Sequence, residues 1–416
     1  MAGEDTKKNN KYDVAIIGAG PAGIMAAIIA AESGKKVALI EKNSDLAKKL
    51  LLTGNGRCNL TNAEFTLREL VKNYNNGEFL FHVFSIFGPQ ETLTFFKKIG
   101  IETKIENNKR IFPKSNSAEE VLEALKKCLE KNKIEILYNS EIIDIKKSGK
   151  KVTKLILKSG EVTANKCVLC TGGKSYCATG SDGFGYKLAK NLGHTIIKPM
   201  PALAPIIMKE EWIKDLQGIS LKDIKISIVG GKNKFYQEGE IIFTHLGISG
   251  PAILNISGKV GSLLENGKVK IYFDLFPLLN YEQLLKSVEE FLRRYPNKTI
   301  KNILSSFVPE RFSEVLLNLA KIDKDKIANN MSKIEKNIVV KILKNIEVTP
   351  EDVLGFDGAM VTRGGIDLKE IDHKTMKSKI IDNLFFAGEI INVDGKTGGF
   401  NLQECWSTGY LAGKNV

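Results

Sequence analysis

The segment GAGPAG at residues 18–23 stands between an apolar strand and an alanine-rich helix, a placement that few folds provide. Tyr12 to Ile17 reads as the strand, Ile24 to Ser33 as the helix and Lys36 to Glu41 as a second strand, so a βαβ unit is expected. In a GxGxxG so placed, Gly18 permits the tight turn, Gly20 lets backbone approach a pyrophosphate, and Gly23 lets the helix pack close to the sheet. Ala19, Pro21 and Ala22 complete the turn, and the helix amino terminus offers N–H groups and a positive dipole end to phosphates. Glu41 follows Gly23 by 18 residues, at the end of the second strand, where an acid accepts hydrogen bonds from ribose hydroxyls. Dinucleotide binding is expected, and an acid at that position disfavours a 2′-phosphate, leaving FAD or NAD.

Two later segments decide between them. CVLCTGG at 167–173 carries Thr171, Gly172 and Gly173, and NLFFAGE at 383–389 carries Gly388 and Glu389. Both resemble the further strand-and-glycine elements of two-dinucleotide flavoproteins, which NAD dehydrogenases do not need. GKTGGFNLQ at 395–403 then brings Gly399, Phe400, Asn401 and Leu402 to a second helix amino terminus aimed at the cofactor. The expected cofactor is FAD, held non-covalently.

The chain has 416 residues, 43% apolar and 26% charged, which is globular and long enough for two or three domains. Its formal charge of +13 comes mainly from dispersed lysines and fits either a solvated surface or attraction to anionic ligands. The start of the chain, with Glu4 and Asp5, lacks the basic and apolar parts of a signal peptide, and no apolar run reaches membrane-spanning length. A soluble cytoplasmic protein is expected. Six scattered cysteines fit a reduced compartment. Cys167 and Cys170 form a CxxC, but inside an apolar strand where bridging geometry is poor, and the four histidines make no zinc-ligand spacing with cysteine.

Along the chain, the polar stretch from Leu50 to Asn62 is too rich in Gly and Asn for a regular element. Ser117 with Glu120 makes a capping-box start for a helix to about Lys131. Strands follow around Ile134–Tyr138, Glu141–Lys147, Val152–Lys158 and Val168–Gly173. Prolines at 199, 201 and 205 mark a boundary, after which alternating β-type segments continue to about Pro277. Residues 281–346 have helical spacing, and beyond Val348 the glycine-rich character returns, with a strand at Asn383–Ala387 and a helix from about Leu402 to Ala412.

These motifs are similar to those of the BaiN-like flavoproteins, a group that includes aminoacetone oxidase and is commonly described as NAD(P)/FAD-dependent oxidoreductases. The likeness covers KKLLLTGNGRCNLTN at 48–62, TGGKSYCATGSDGFGYKLAKNLGH at 171–194, FTHLGISGPAILNIS at 243–257, VTRGGIDLKEI from 361, TMKSK ending at 379, and FFAGEIINVDGKTGGFNLQECWSTGYLAG at 385–413. The resemblance implies an α/β fold: a Rossmann-type FAD-binding domain built from both chain ends (1–198 and 347–416), an inserted β-barrel-like substrate domain (199–280) and a helical subdomain (281–346). The join near 347–372 can instead belong to the barrel.

The same resemblance implies that Gly18 to Gly23, Glu41 and Lys42 hold the ADP half, that Ile142 lends backbone groups to the adenine, and that Lys49 and the loop of Gly56, Arg57, Cys58 and Asn59 lie along the cofactor. Arg57 can neutralise a phosphate with a charge-assisted fork or brace its own loop. Cys58 reads as a packing residue. Where many relatives carry a proline after GKSY, this chain has Cys177, a departure that bears on substrate or on loop shape. His245, in a glycine-rich motif, is a candidate proton donor or substrate contact, or a hydrogen-bonded loop histidine. Arg363 is a candidate anchor for an anionic substrate or a nicotinamide phosphate.

The inserted region has neither a second βαβ nucleotide unit nor a redox cysteine pair, so NAD(P)H is expected to visit the flavin transiently if it reduces it at all. The expected activity is hydride transfer between NAD(P)H and a small unsaturated or carbonyl-conjugated substrate through flavin. An amine oxidase using oxygen is the alternative. A redox sensor, or an RNA-modifying protein, is the alternative of another class; the dispersed lysines and lack of an RNA-binding module count against nucleic acid.

Overall fold

The computed structural model describes residues 11–416, so the polar start with Glu4 and Asp5 lies outside the described residues. The chain forms two compact units: one comprises the chain up to Pro201 together with Ala359–Val416, the other Ala202–Gly358.

The first unit is built on a seven-stranded sheet. Its order is Glu135–Leu137, Val37–Ile40, Lys11–Ile17, Gly160–Leu169, Lys151–Leu157 and Ile142–Ser148, with Leu384–Phe386 also pairing Gly160–Leu169. The first strand runs parallel to both neighbours, placing Ile16 beside Leu39 on one side and Val168 on the other. Strand Gly160–Leu169 starts well before Val168, stops before the glycine pair, and carries both ladders. Its beginning pairs antiparallel with Lys151–Leu157, and its end runs parallel to Leu384–Phe386, which returns from the far end of the sequence. Such parallel strands are covered on both faces, which is why VAII, VALI and LFF are continuous apolar runs.

Helix Pro21–Glu32 is apolar all round because it too is covered on every side; residues 22–30 are all buried. It lies against the C-terminal helix Phe400–Asn415. A Cβ on Gly409 would sit 2.4 Å from the Ala22 carbonyl oxygen, and one on Gly413 would sit 2.6 Å from that of Ala26, so glycine at both positions permits the close approach. Trp406, Met25, Leu39 and Phe386, each fully buried, form part of this core.

The reading of Leu50–Asn62 as irregular is corrected at its ends, where the chain forms a short helix at Lys48–Leu52 and a short strand at Thr61–Asn62. Ser117 caps helix Ala118–Lys131 by accepting from the Glu120 N–H at 3.2 Å, but the box is half made, since the Glu120 carboxylate turns to Ser115.

The second unit holds an antiparallel seven-stranded sheet in the order Ile346–Val348, Val269–Asp274, Ser220–Gly230, Asn233–Phe243, Gly247–Ser249, Ile206–Met208 and Pro350–Val353. Its two edge strands are joined by the single residue Thr349, so the sheet must curl until its edges meet. A helix at Pro251–Leu264, not foreseen in the β-rich reading, packs on this sheet. The helices Tyr281–Arg294, Glu310–Ala320 and Lys333–Lys344 lie in the same unit, two of them opened by capping boxes, Asn280 with Gln283 and Ser332 with Glu335. No helix among the described residues is long and apolar enough to cross a membrane.

Candidate cofactor site

At the carboxyl ends of the parallel strands, the first unit opens into a cleft of about 1030 Å³, its mouth included. Its walls come from Gly18–Ala22, Glu41–Asn43, Lys49, Ile142, Cys170–Gly172, Gly180–Asp182, Gly388, Glu389 and Cys405. The turn enters it through Gly18, whose φ of +98° and approach to the Cys170 carbonyl exclude a side chain. A Cβ on Gly20, by contrast, would meet nothing within 4 Å. Helix Pro21–Glu32 begins here with proline in its first turn and no side-chain cap, so its first N–H groups and its dipole are left for a ligand.

Glu41 is buried at the floor. One carboxylate oxygen accepts from the Ala19 N–H at 3.0 Å, and the other from the Asn43 N–H at 2.9 Å and its side-chain amide at 2.8 Å. Lys42 forms a 2.7 Å ion pair with Asp182 and so ties segment 180–182 to this wall. Ile142, opening its strand, also lines the cleft, and Thr171 adds a buried hydroxyl with no hydrogen-bond partner among the described residues.

Elsewhere on the wall, three segments converge on Glu389. One oxygen accepts from Lys49 at 2.6 Å; the other accepts from the Ser175 hydroxyl at 3.0 Å and the Thr362 N–H at 2.8 Å. Lys49 also donates to Ser175 at 2.7 Å. Gly173 is required beside them, since a Cβ there would strike Thr362 Oγ1 and Glu389 Oε1. Ser175, Thr362, Asn43 and Asp182 were not singled out from the sequence.

The remaining expected residues lie off the cleft wall. Gly23 stands behind the turn, where a Cβ would sit 1.9 Å from the Gly18 carbonyl oxygen. Arg57 does not reach the cleft: its guanidinium pairs with Glu106, donates to Asn116 at 2.7 Å and stacks 4.0 Å from the centre of the Phe112 ring, so it braces its own loop. Gly56, Cys58 and Asn59 accompany it off the wall. The Asn59 amide, oriented by its neighbours, accepts from the Gly399 N–H at 3.0 Å. Phe400 and Leu402 open the C-terminal helix, and Asn401 is turned inward to bond the Gly395 N–H at 2.8 Å.

Burial pushes the Cys58 and Cys167 thiols up to about 12 and the Cys170 thiol higher still. All three stay protonated at neutral pH, and Cys167 and Cys170 are both free. One buried acid escaped the sequence reading: Glu404, on the C-terminal helix, is only 4% exposed.

Arg363 lies on strand Val361–Ile366 in the first unit, with its Nε 3.6 Å from the Asp394 carboxylate. His245 is in the second unit, exposed in the turn between Asn233–Phe243 and Gly247–Ser249, beside an apolar groove of Ile206, Ile207, Phe243, Leu246 and Leu354.

The cleft fits FAD on these observations: a glycine turn whose one open Cβ position faces empty space, an uncapped helix start for a pyrophosphate, and a preset acid for a ribose. Residues 12–415 match the HI0933-like protein Rossmann domain family. The chain is 34% identical over 406 residues to a 3-dehydro-bile acid Δ4,6-reductase of Clostridium scindens, spanning 96% of this chain and 98% of the relative. It is 30% identical over 406 residues to a ribosomal RNA dihydrouridine synthase of Haemophilus influenzae, spanning 96% and 97%. In fold it resembles a 3-ketosteroid-Δ4-(5α)-dehydrogenase from Rhodococcus jostii RHA1, with a TM-score of 0.54 at 16% identity over 99% of this chain and 98% of that one.

Proposed function

This chain belongs to the HI0933-like Rossmann family and is an FAD-dependent oxidoreductase; we propose that it reduces a carbon–carbon double bond conjugated to a carbonyl, using electrons from NAD(P)H. One observation carries the reading: two relatives matched over nearly their whole length are named for reactions of this one type. A 3-oxo steroid with unsaturation at positions 4 and 6 is a conjugated dienone. Uridine becomes dihydrouridine when the double bond next to its carbonyl is saturated. For an enone bond reduced by this chain, a hydride is added to the carbon distal to the carbonyl and a proton to the carbon adjacent to it, and NAD(P)H is the proposed electron source that is oxidised.

Bound FAD supplies the two-electron carrier between donor and substrate. The protein's part is to hold and orient it. The amino-terminal turn of helix Pro21–Glu32 receives the pyrophosphate, Glu41 accepts from the ribose, and Ile142 offers backbone to the adenine. The Lys49 and Glu389 pair fixes the loops after two strands so that Gly388 and Thr171 keep their places on the wall. His245 is the proton donor in this reading, and Arg363 anchors an anionic group on donor or substrate beside its Asp394 contact.

The substrate is a free small molecule on the strength of the higher identity. A second reading places the same bond in a uracil of RNA, favoured by the 30% and 28% relatives of that name and by the formal charge of +13. Turnover with NADPH against a 3-oxo-Δ4 steroid and against unmodified ribosomal RNA, read by the mass of the product, tests both. A gain of two hydrogens on the steroid supports the first reading and a gain on uracil the second; no gain on either overturns the proposal.

A further inference from the structure

Glu404 has no use in the scheme above, yet its surroundings are unusual for a glutamate. It projects from the first turns of helix Phe400–Asn415 into the core of the first unit. Among the described residues no lysine, arginine or histidine lies within ion-pair distance of it. The groups facing it are Cys405 and Thr408 on its own helix, Cys170 at the end of strand Gly160–Leu169, Tyr74, and Glu389 with its partner Lys49. Burial raises both thiols and the Tyr74 hydroxyl, so these stay neutral, and the nearest charges are a carboxylate and the ammonium that already answers it.

The hydrogen bonding around the carboxyl is sparse for a buried acid: the Cys405 thiol donates to Oε2 at 3.4 Å, and the Thr408 hydroxyl lies 3.3 Å from Oε1. The Thr408 hydroxyl also donates to the Glu404 main-chain carbonyl at 2.7 Å and accepts from the Gly388 N–H at 2.9 Å. Its contact with Glu404 Oε1, at 3.3 Å, is longer than that main-chain bond, so the carboxyl receives only weak hydrogen bonds and no cation. Burial, with the nearby charge of Glu389 adding to it, pushes this carboxyl up to about 8.

Its position relative to the cleft is equally definite. Gly388 and Cys405 are both on the cleft wall, and a Cβ on Gly388 would sit 2.7 Å from Ala22 Cβ and 3.6 Å from Cys405 Sγ. Glu404 is therefore one hydroxyl behind the wall: its Oε1 lies 3.3 Å from Thr408 Oγ1, which accepts from the wall residue Gly388 beside Ala22 in the first turn of helix Pro21–Glu32.

We propose that Glu404 is a proton site coupled to the cofactor cleft: FAD is held tightly only while this acid is neutral, because an ionised carboxyl behind the wall repels the doubly charged pyrophosphate. The coupling is reciprocal, so FAD binding draws a proton onto Glu404 wherever the free protein has lost it. It holds for any substrate and rests only on FAD occupying this cleft. Affinity is flat at low pH, where the acid is neutral in both forms, and falls as pH rises through about 8. In the limit of full coupling the loss is about tenfold per pH unit above that point.

The test is titration of apo-protein with FAD, read by flavin fluorescence, at pH values from about 6.5 to about 9.5. Wild type should lose about tenfold in affinity near the top of this range, and Glu404→Gln should bind FAD with no such dependence. Calorimetry of wild type near pH 8, in buffers of different ionisation enthalpy, reads proton uptake without any variant and stands even if Glu404→Gln fails to fold. Uptake of a fraction of a proton supports the proposal. No uptake, or an unchanged pH dependence in a folded Glu404→Gln, overturns it.

Discussion

The carboxylate of Glu41 accepts the backbone N–H of Ala19 at 3.0 Å, joining the end of the second strand to the middle of the glycine turn. The acid that meets the ribose is thus fixed by the turn that meets the pyrophosphate, and the two halves of an ADP group are bound by one preorganised unit. Glu41→Ala should lower FAD affinity by about ten- to a hundredfold, roughly 1–3 kcal/mol for the buried donors and the ribose left without an acceptor. Fluorescence titration of apo-protein reads it, and unchanged affinity would remove Glu41 from the site.

Gly20 gives a cleaner test of where the pyrophosphate lies. Its Cβ position is open to the cleft, so Gly20→Val should keep the fold and its melting temperature while losing most FAD affinity. Undiminished binding in the folded variant contradicts the placement.

Lys49→Met should destabilise the apo-protein by about 1–3 kcal/mol in denaturant unfolding, because it leaves the partly buried Glu389 carboxylate without its cation. Adding Glu389→Gln should recover part of the loss, since the uncompensated charge is then gone. Equal stability of Lys49→Met and wild type would show that the pair braces nothing.

Glu404 also gives stability a pH signature. Its folded-state value of about 8 lies above the ordinary 4.5, so between those values the folded protein keeps a proton that the unfolded chain releases. Stability from this group is therefore present below about 4.5 and is lost as pH rises to about 8. Melting temperatures of Glu404→Gln should decline less than those of wild type across that window; parallel curves would contradict the assignment.

The buried thiols answer to a simpler measurement. With Cys167 held up to about 12 by burial and Cys170 higher, a thiol reagent at about pH 8 should leave both unmodified in native protein and label both in denaturant, as read by peptide mass. Rapid native labelling would restore the redox reading of the CxxC.

What was legible in the sequence was local. Gly18, Gly20, Gly23 and Glu41 lie in one strand-turn-helix-strand run, and their spacing alone sets their geometry. Arg57 shows the opposite case. Its partners Glu106 and Asn116 are 49 and 59 residues further on, so the sequence showed a loop cation free to meet a phosphate, and the fold spends that charge elsewhere. Helix Pro251–Leu264 was hidden because it starts directly after the glycine-rich HLGISG and is rich in β-branched and glycine residues; Pro251 after Gly250 was the start signal available. Glu404 looked like any helix-surface glutamate, since its neighbours Tyr74, Cys170 and Glu389 are each brought in from a distant segment.

The electron path is tested most directly by the flavin absorption band of the holoenzyme under anaerobic conditions. NADPH or NADH should bleach the band, and a conjugated enone added afterwards should restore it without oxygen. Bleaching by an amine but by neither nicotinamide, with colour returning only when air is admitted, would contradict the account.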